Sequence, residues 1–276
     1  MESLLVCIFK LKITPMTYQP NFIKSTLTVV VAIIATTLFS QPLSTPIKDV
    51  SYTFLSYEGT NASAVVWVPE KSMYVTTIAG NTDYPIEGFT STGTNLFATT
   101  LGFDGRGLWY NPATKNLEGN GAGEAGWYSI PLVGQTAGKP ESIMTGQYQP
   151  DFQSVGAYDY SKKQVVFLSA DMNSIITYSH KKPSKTKTIA LKWDGIPTGN
   201  INPFAFGFTG VSGYEYVCYD WVNTNLIFFD RKGNQKAKVA IPSDAPINEM
   251  FCFSFTNGRA FFYDIDNRTW TGYKVF

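Results

Sequence analysis

The chain has 276 residues, of which 44% are hydrophobic, 15% aromatic and only 16% charged. Globular domains carry about 25% charged residues, while disordered chains and coiled coils need more charge or fewer aromatics, so this composition excludes both of those classes. The 22 basic and 21 acidic residues nearly cancel, so net charge gives no reason to expect nucleic acid or an anionic membrane surface as a partner.

The first 40 residues have the features of an export signal. Lys24 precedes an uninterrupted segment of apolar and Thr residues, 27–38, and Ser40 follows it closely. A positive residue, an apolar stretch of about 7–15 residues and a small residue at its end are typical of a secretory signal peptide. The stretch is also short for a membrane span, which needs about 20 residues. We therefore predict a signal peptide over residues 1–40 and a secreted or periplasmic product, with an uncleaved N-terminal membrane anchor as the alternative.

The remainder of the chain has the length of one all-β domain. Residues 1–15 exceed what a signal needs, so Met16 is an alternative start, and residues 41–47 are predicted to be a linker. Cys218 and Cys252 lie within apolar, strand-like sequence. An exported protein can form a disulfide between them, and two buried free thiols are the other interpretation.

Residues 48–276 are predicted to form short strands separated by turns. Runs rich in Val, Ile, Tyr, Phe and Thr end at Gly, Pro, Asn or Asp, which is the pattern of β-strands, and no window after residue 45 has helical periodicity. The predicted strands are 51–57, 63–68, 73–79, 164–170, 174–179, 186–193, 214–221, 225–230, 237–242 and 259–264. The sequence therefore indicates an all-β domain with almost no helix.

One pattern recurs five times: an aromatic residue near the end of a strand, a tight polar turn, and a second apolar strand. The copies are residues 67–74, 110–117, 158–165, 219–226 and 263–270. Successive copies start 43, 48, 61 and 44 residues apart, and we attribute the longest interval to a long hairpin around His180 and a wide loop, residues 194–203. Periods of about 40–50 residues with four strands per unit are typical of propeller blades.

We predict a five-bladed β-propeller with about four antiparallel strands in each blade. The last unit, residues 250–276, is one strand short, and residues 52–57 near the other end of the chain are predicted to complete it. This closure would cover a sheet edge that could otherwise pair with other chains. The alternatives are a β-sandwich and an irregular six-bladed ring with an extra blade built from residues 86–105.

The recurring hairpin, Tyr-Asp-x-x-x-(Asn/Lys/Arg)-x-apolar, resembles the repeats of secreted β-propeller proteins over residues 48–276. The WD dipeptide occurs once, at Trp193-Asp194, and does not recur with the repeats, and the double glycine of kelch repeats is absent, so those two families are not favoured. Asp159, Asp220 and Asp264 end strands within the motif, where an aspartate accepts hydrogen bonds from backbone N–H groups of the turn. We therefore predict that these three are turn residues and not catalytic carboxylates.

A propeller of this kind suggests first a non-catalytic binding protein. Its loops and central funnel would bind a glycan or another protein, because aromatic faces with a few polar groups suit such ligands. The candidate ligand-binding residues are Arg106, Trp109, Trp127 and Trp193.

The alternative is a carboxylate-based glycoside hydrolase. Some five-bladed propellers have this activity, with two or three acidic side chains around the funnel, and paired carboxylates act as acid and as base or nucleophile. No catalytic residue is assigned. The candidates outside the turn motif are Asp104, Glu124, Asp151, Asp194 and Glu249.

Other chemistries lack the residues they require. The chain has no G-x-S-x-G, H-E-x-x-H, Walker or C-x-x-C motif. Its single histidine, His180, lies in a Lys-rich hairpin and is predicted to be a solvated turn residue. One His and two Cys cannot supply the usual zinc ligand sets, so no metal and no cofactor are predicted. We expect a monomer without a membrane span in the mature chain and without a nucleic-acid partner.

Overall fold

The computed structural model describes residue 43 and residues 45–195 and 201–276. The signal peptide predicted over residues 1–40 lies outside the described residues, as do residues 196–200 of the wide loop. Within the described ranges the chain is almost entirely strand and turn, and its helical segments are two short 3-10 turns, Pro69–Lys71 and Gly123–Ala125. The expectation of an all-β chain is confirmed.

The strands are short and follow one another closely along the chain. In chain order they are β1 (Ile47–Thr53), β2 (Asn61–Val68), β3 (Met73–Ala79), β4 (Pro85–Thr90), β5 (Asn95–Thr100), β6 (Gly105–Asn111), β7 (Asn116–Gly121), β8 (Trp127–Ile130), β9 (Leu132–Val133), β10 (Thr136–Ala137), β11 (Glu141–Met144), β12 (Ala157–Asp159), β13 (Gln164–Leu168), β14 (Ser174–Ser179), β15 (Lys182–Ala190), β16 (Phe206–Phe208), β17 (Tyr216–Asp220), β18 (Asn225–Phe229), β19 (Gln235–Ala240), β20 (Phe253–Thr256), β21 (Arg259–Asp264) and β22 (Thr269–Lys274).

Five four-stranded antiparallel sheets form the blades of a propeller. In order from the centre outwards they are β2-β3-β4-β5, β6-β7-β8-β11, β12-β13-β14-β15, β16-β17-β18-β19 and β20-β21-β22-β1. The first strand of each blade contacts the first strand of the next, and β20 contacts β2, so the ring is closed. The five-bladed propeller predicted from the sequence is confirmed, and the β-sandwich is excluded. Residues 86–105 supply strands of blades 1 and 2, so the proposed extra blade is wrong and the described residues form five blades.

The two ends of the folded region share the last blade. β1 pairs antiparallel with β22, with Tyr52 opposite Trp270 and Thr53 opposite Thr269. The hydroxyl groups of Thr53 and Thr269 are 2.8 Å apart, which adds a side-chain bond across this pair. Closure by an N-terminal strand is confirmed, although β1 begins five residues earlier than residue 52, where the predicted closing strand began.

The five hairpin motifs are not equivalent positions of the blades. The first three connect the first and second strands of blades 1 to 3, whereas the last two connect the second and third strands of blades 4 and 5. The interval of 61 residues between the third and fourth copies therefore also includes an additional strand, β16, which our explanation from loop lengths alone missed. Any two antiparallel neighbours can be joined by the same polar turn, so the motif marks a hairpin and not a place in the blade.

What the motif copies do share is backbone conformation. The sixth residue of every copy has a positive φ: Ser72 (48°), Lys115 (60°), Lys163 (53°), Thr224 (52°) and Arg268 (52°). The aspartates act as expected: a carboxylate oxygen of Asp159 accepts from the backbone N–H of Ser161 at 3.1 Å, and Asp220 accepts from Asn223 at 2.9 Å.

Neighbouring blades are joined by buried polar side chains as well as by apolar packing. The Ser254 hydroxyl on β20 accepts from the Val65 N–H at 3.0 Å and donates to the Val65 carbonyl at 2.9 Å. Two residues further along both strands, the Thr256 hydroxyl accepts from the Trp67 N–H at 3.0 Å. The inner strands β2 and β20 therefore run in the same direction and in step, as blades of one ring must.

Both cysteines of the described chain are free and buried. Burial raises the pKa of the Cys218 thiol, and it raises the pKa of Cys252 as well. The interpretation as two buried thiols is therefore the correct one of the two that the sequence allowed.

Candidate functional site

A channel of about 510 Å³ lies on the axis of the propeller. All five inner strands contribute to its wall, which also includes the turns that follow them. Its aromatic lining consists of Trp67, Trp109, Tyr110, Tyr158, Tyr160, Phe206, Phe208 and Phe255. Among the described residues that line this channel there is no Asp, Glu, His, Lys or Arg.

The Ser and Thr hydroxyl groups of the wall are all engaged in hydrogen bonds within the protein. Ser254 and Thr256 bond to the backbone of β2, as described above. Thr209 donates to the Tyr214 carbonyl at 2.6 Å and accepts from the Val211 N–H at 3.0 Å. The channel therefore offers mainly ring faces and aliphatic surface, with a few polar groups near its mouth.

The channel is open at one end. Pro69, Pro112 and Tyr160 are exposed and surround the mouth together with Asn257, while Trp67 is half-buried just inside it. These residues stand at or just after the C-terminal ends of β2, β6, β12 and β20. We call this side of the disc the mouth face.

The other end of the channel is closed by packed side chains. Phe204 and Phe251 stack with ring centroids 4.5 Å apart, and both are buried together with Val155. The guanidinium carbon of Arg106 lies 5.4 Å from the centre of the Phe251 ring. Arg106 is itself buried, so this plug combines aromatic stacking with a cation over a ring face.

Arg106 is held by a complete set of partners. Its guanidinium bonds to both carboxylate oxygens of Asp104, with Nη2 to Oδ2 at 3.0 Å, and its Nε donates to Gln153 Oε1 at 2.6 Å. Asp104 also accepts from the Gly80 N–H at 2.7 Å, which ties blade 1 to blade 2. The pair is therefore a structural element of the closed end, and it leaves no free charge pointing into the channel.

The other four acidic candidates lie away from the channel wall. Glu124, Asp194 and Glu249 are exposed, and half-buried Asp151 accepts the Gln153 N–H at 2.8 Å within its own turn. Asp194 lines a small separate depression of about 170 Å³ with Asp220 and Lys238. None of the five carboxylates proposed from the sequence belongs to the residues that form the channel.

One of the three tryptophan candidates lines the channel and the other two do not. Trp109 lines the channel, whereas Trp127 is fully buried and meets Trp109 edge to face at 6.1 Å. Trp193 packs against Phe229 and donates its indole N–H to the Met172 carbonyl at 3.2 Å, away from the channel. Trp67, which sequence reasoning did not single out, lies at the mouth; its position just before the first hairpin motif was the available signal.

The structure also reveals a buried acid that the sequence did not indicate. Glu118 on β7 is 2% exposed and accepts from the Trp109 indole N–H at 3.1 Å and from Asn111 Nδ2 at 2.7 Å. His180 Nε2 lies 2.6 Å from the same carboxylate. The side chain of His180 is only 17% exposed, so the expectation of a solvated turn histidine is wrong: the hairpin tip folds back onto the junction of blades 2 and 3.

A second polar cluster joins blades 3 and 4. Arg231 forms ion pairs with Asp159 and with Glu215, the latter at 3.4 Å. Burial alone would raise the pKa of Asp159, but the hydrogen bonds from Arg231 and Ser161 outweigh it and hold that pKa below its usual value. The charge of Arg231 is thereby neutralised within the protein.

Two features are absent from the described ranges. No group of three or more His, Cys, Asp or Glu side chains in the described ranges is arranged to hold a metal ion. No helix within those ranges is long and apolar enough to cross a membrane.

Comparisons with known proteins support the fold. No family model matches the chain, and no curated protein sequence matches it. Among solved structures, it is similar to a glutaminyl cyclase from Myxococcus xanthus, with a TM-score of 0.55 and 11% identity, covering 84% of this chain and 98% of that one. It is also similar to a protein of unknown function from Bacteroides thetaiotaomicron, with a TM-score of 0.51 and 10% identity, covering 85% of this chain and 76% of that one. At these identities the likeness shows the propeller fold alone.

Proposed function

We propose that this protein is an exported, non-catalytic binding protein whose ligand enters the central channel through the mouth. The observation that carries the proposal is the wall of the channel, which is aromatic and contains no acidic or basic side chain among its described residues. Its volume of about 510 Å³ is within the range of about 300–1,000 Å³ that ligand pockets usually have. The partner is a glycan or a segment of protein, both of which pack well on aromatic faces.

The same wall argues against the alternative of a glycoside hydrolase. Hydrolysis requires two carboxylates about 5–10 Å apart on either side of the scissile bond. Asp104 is paired with Arg106 at the closed end, and the other four candidates do not line the channel. Glu118 bonds to Trp109 of the channel wall, but it is buried and takes three hydrogen-bond partners.

The proposal is tested by a glycan array and a hydrolysis screen on the same preparation, followed by titration calorimetry with the ligand found. Trp67→Ala should weaken binding about tenfold, because it removes an aromatic face at the mouth. Trp221→Ala is the matched control: Trp221 is also half-buried but does not line the channel. Release of sugar products, or equal losses for both variants, would contradict the proposal.

The export part of the proposal is tested separately. Protein recovered from outside the cytoplasm should begin near Gln41 by N-terminal sequencing, since the apolar segment ends just before it. Recovery of an exported chain that still begins at residue 1 or 16 would favour the uncleaved anchor.

A further inference from the structure

The charges of this nearly neutral chain are separated between the two sides of the disc. The connections on the side opposite the mouth are the second turn of each blade and the link to the next blade. Their described residues contain ten acids and two bases; the acids are Glu58, Asp83, Asp104, Glu124, Asp151, Asp171, Asp194, Asp244, Glu249 and Asp266, and the bases are Lys192 and Arg268.

The mouth side has the opposite composition. It carries the first and third turns of each blade, which contain eight bases and three acids in the described chain. The bases are Lys71, Lys115, Lys139, Lys162, Lys163, Lys181, Arg231 and Lys232, and the acids are Glu70, Glu215 and Asp230. Net charge hides this arrangement because the two sides cancel.

Among the described residues no lysine of the mouth face forms an ion pair, although the charge of Lys115 helps to lower the pKa of Glu70. The ion pairs found among the described residues all use arginine or histidine, and none uses lysine. Glu215 is occupied by Arg231, and Asp230 bonds to the side-chain amide of Asn234 at 2.8 Å. The bases of this face outnumber its acids by five, and this excess of positive charge can act on a partner.

Four of these lysines lie in the turns that also carry residues of the mouth, and one of them, Lys71, donates to the Gly134 carbonyl. Lys71 and Lys115 follow Pro69 and Pro112 in the first turns of blades 1 and 2. Lys162 and Lys163 follow Tyr160 in the first turn of blade 3. Because charges within about 8–10 Å interact before salt screens them, a ligand at the mouth experiences these lysines and not the acidic far side of the disc.

We propose that the mouth face binds an acidic polysaccharide. Sugar rings pack on the aromatic residues of the mouth, and the carboxylate or sulfate groups of the same chain lie over the lysines of blades 1 to 3. This inference rests on the proposed function, since it places the ligand at the same channel. A polysaccharide is favoured over a nucleic acid or a bilayer because the mouth combines ring faces such as Trp67 and Tyr160 with lysines instead of the arginine clusters or broad apolar surface that those partners use.

The experiment measures binding of three acidic polysaccharides, polygalacturonate, chondroitin sulfate and heparin, with neutral dextran and single-stranded DNA for comparison. The test variant is K115Q/K162Q/K163Q, which lowers the charge of the mouth face by three; these side chains are exposed and make no ion pair in the described structure. The control variant is T82E/T145E/S243E, which lowers the total charge equally at exposed positions on the opposite side.

We expect at least one acidic polysaccharide to bind in dilute buffer, with an affinity that falls about tenfold in K115Q/K162Q/K163Q, falls in 0.5 M NaCl and is unchanged in the control variant. Failure of all three polymers to bind, equal losses in both variants, or tighter binding of DNA or dextran would overturn the inference. Trp67→Ala separates the two proposals: if it weakens binding of a ligand that ignores the lysine substitutions, the channel site stands and the acidic ligand does not.

Discussion

The role of Asp159 was predicted correctly from the sequence, but only in part. Its role in the hairpin follows from the local pattern, and the N–H groups of Ser161 and Lys162 bond to it as expected. Its ion pair with Arg231 joins residues 72 positions apart, which no local pattern indicates. The link between blades 3 and 4 therefore could not be foreseen.

This pair gives a pH-dependent prediction. The pKa of Asp159 is lowered in the folded state, so its contribution to stability is present above the unfolded value of about 3.9 and is lost as the pH falls through the folded pKa. Asp159→Asn should be less stable than the wild type at pH 7, and the difference should shrink when urea unfolding is repeated near pH 3.

Asp83→Asn is the control, because Asp83 is exposed and forms no ion pair within the described chain. It should track the wild type at both pH values. A deficit of Asp159→Asn that is equally large near pH 3 would show that the carboxylate charge is not what stabilises this junction.

At the scale of single elements, residues with a positive φ place backbone strain in the hairpins. A residue with a side chain costs about 1–2 kcal/mol in the left-handed region, where glycine is unstrained. Lys163 has a φ of 53°, whereas its neighbour Lys162 does not have a positive φ, and both are exposed in one turn. Lys163→Gly should therefore raise the free energy of unfolding by about 0.5–1 kcal/mol.

Lys162→Gly is the matched control for this change. It removes the same side chain from the same turn but relieves no strain, and it adds freedom to the unfolded chain, so it should lower stability or leave it unchanged. Chemical denaturation measures the free energy of unfolding of the two variants. Identical changes in both would rule out backbone strain as the cause.

The strands and turns were largely predictable, and the reason lies in their local chemistry. Apolar runs that end at polar turn residues identify a strand without reference to the rest of the chain, as for β13, β18 and β21. The position of a hairpin within its blade depends on contacts across the ring, so the fourth and fifth motif copies were placed wrongly relative to the first three. For the same reason the carboxylate of Glu118, which is buried by His180 from another blade, gave no signal in sequence.

At the scale of the whole molecule, closure of the ring depends on β1. This strand covers the outer edge of the last blade through its pairing with β22, and an uncovered edge is a template for association with other chains. A chain that begins after residue 53 should therefore aggregate or unfold, whereas one that begins at residue 45 should behave as a chain that begins at residue 41.

Size-exclusion chromatography and thermal unfolding of the two truncated chains provide the measurement. Tyr52 is fully buried and packs on Tyr74 at 5.0 Å, so loss of β1 also removes an aromatic anchor from the core. A stable monomer that lacks β1 would show that the other three strands of the last blade suffice.

Composition predicted the class of the protein well, whereas net charge predicted the distribution of charge on its surface poorly. Composition excluded a disordered chain and a coiled coil, and the structure is a folded all-β domain over the described residues. The near balance of 22 basic and 21 acidic residues gives no argument from net charge for nucleic acid or an anionic membrane, yet the fold sorts these charges by side. Net charge is a sum over the chain and says nothing about where each charge lies. The location of each charge depends on the order of strands and turns around the ring.

The plug of Phe204, Phe251 and Arg106 has a consequence for any long ligand. A blind well admits a terminus or a short side branch, while a polymer cannot be threaded through from one side of the disc to the other. A ligand that enters the channel must leave through the same opening. The protein would therefore recognise the ends and branch points of a polymer. The number of these ends and branches, instead of the total mass of the polymer, would set how many protein molecules bind to one polymer chain.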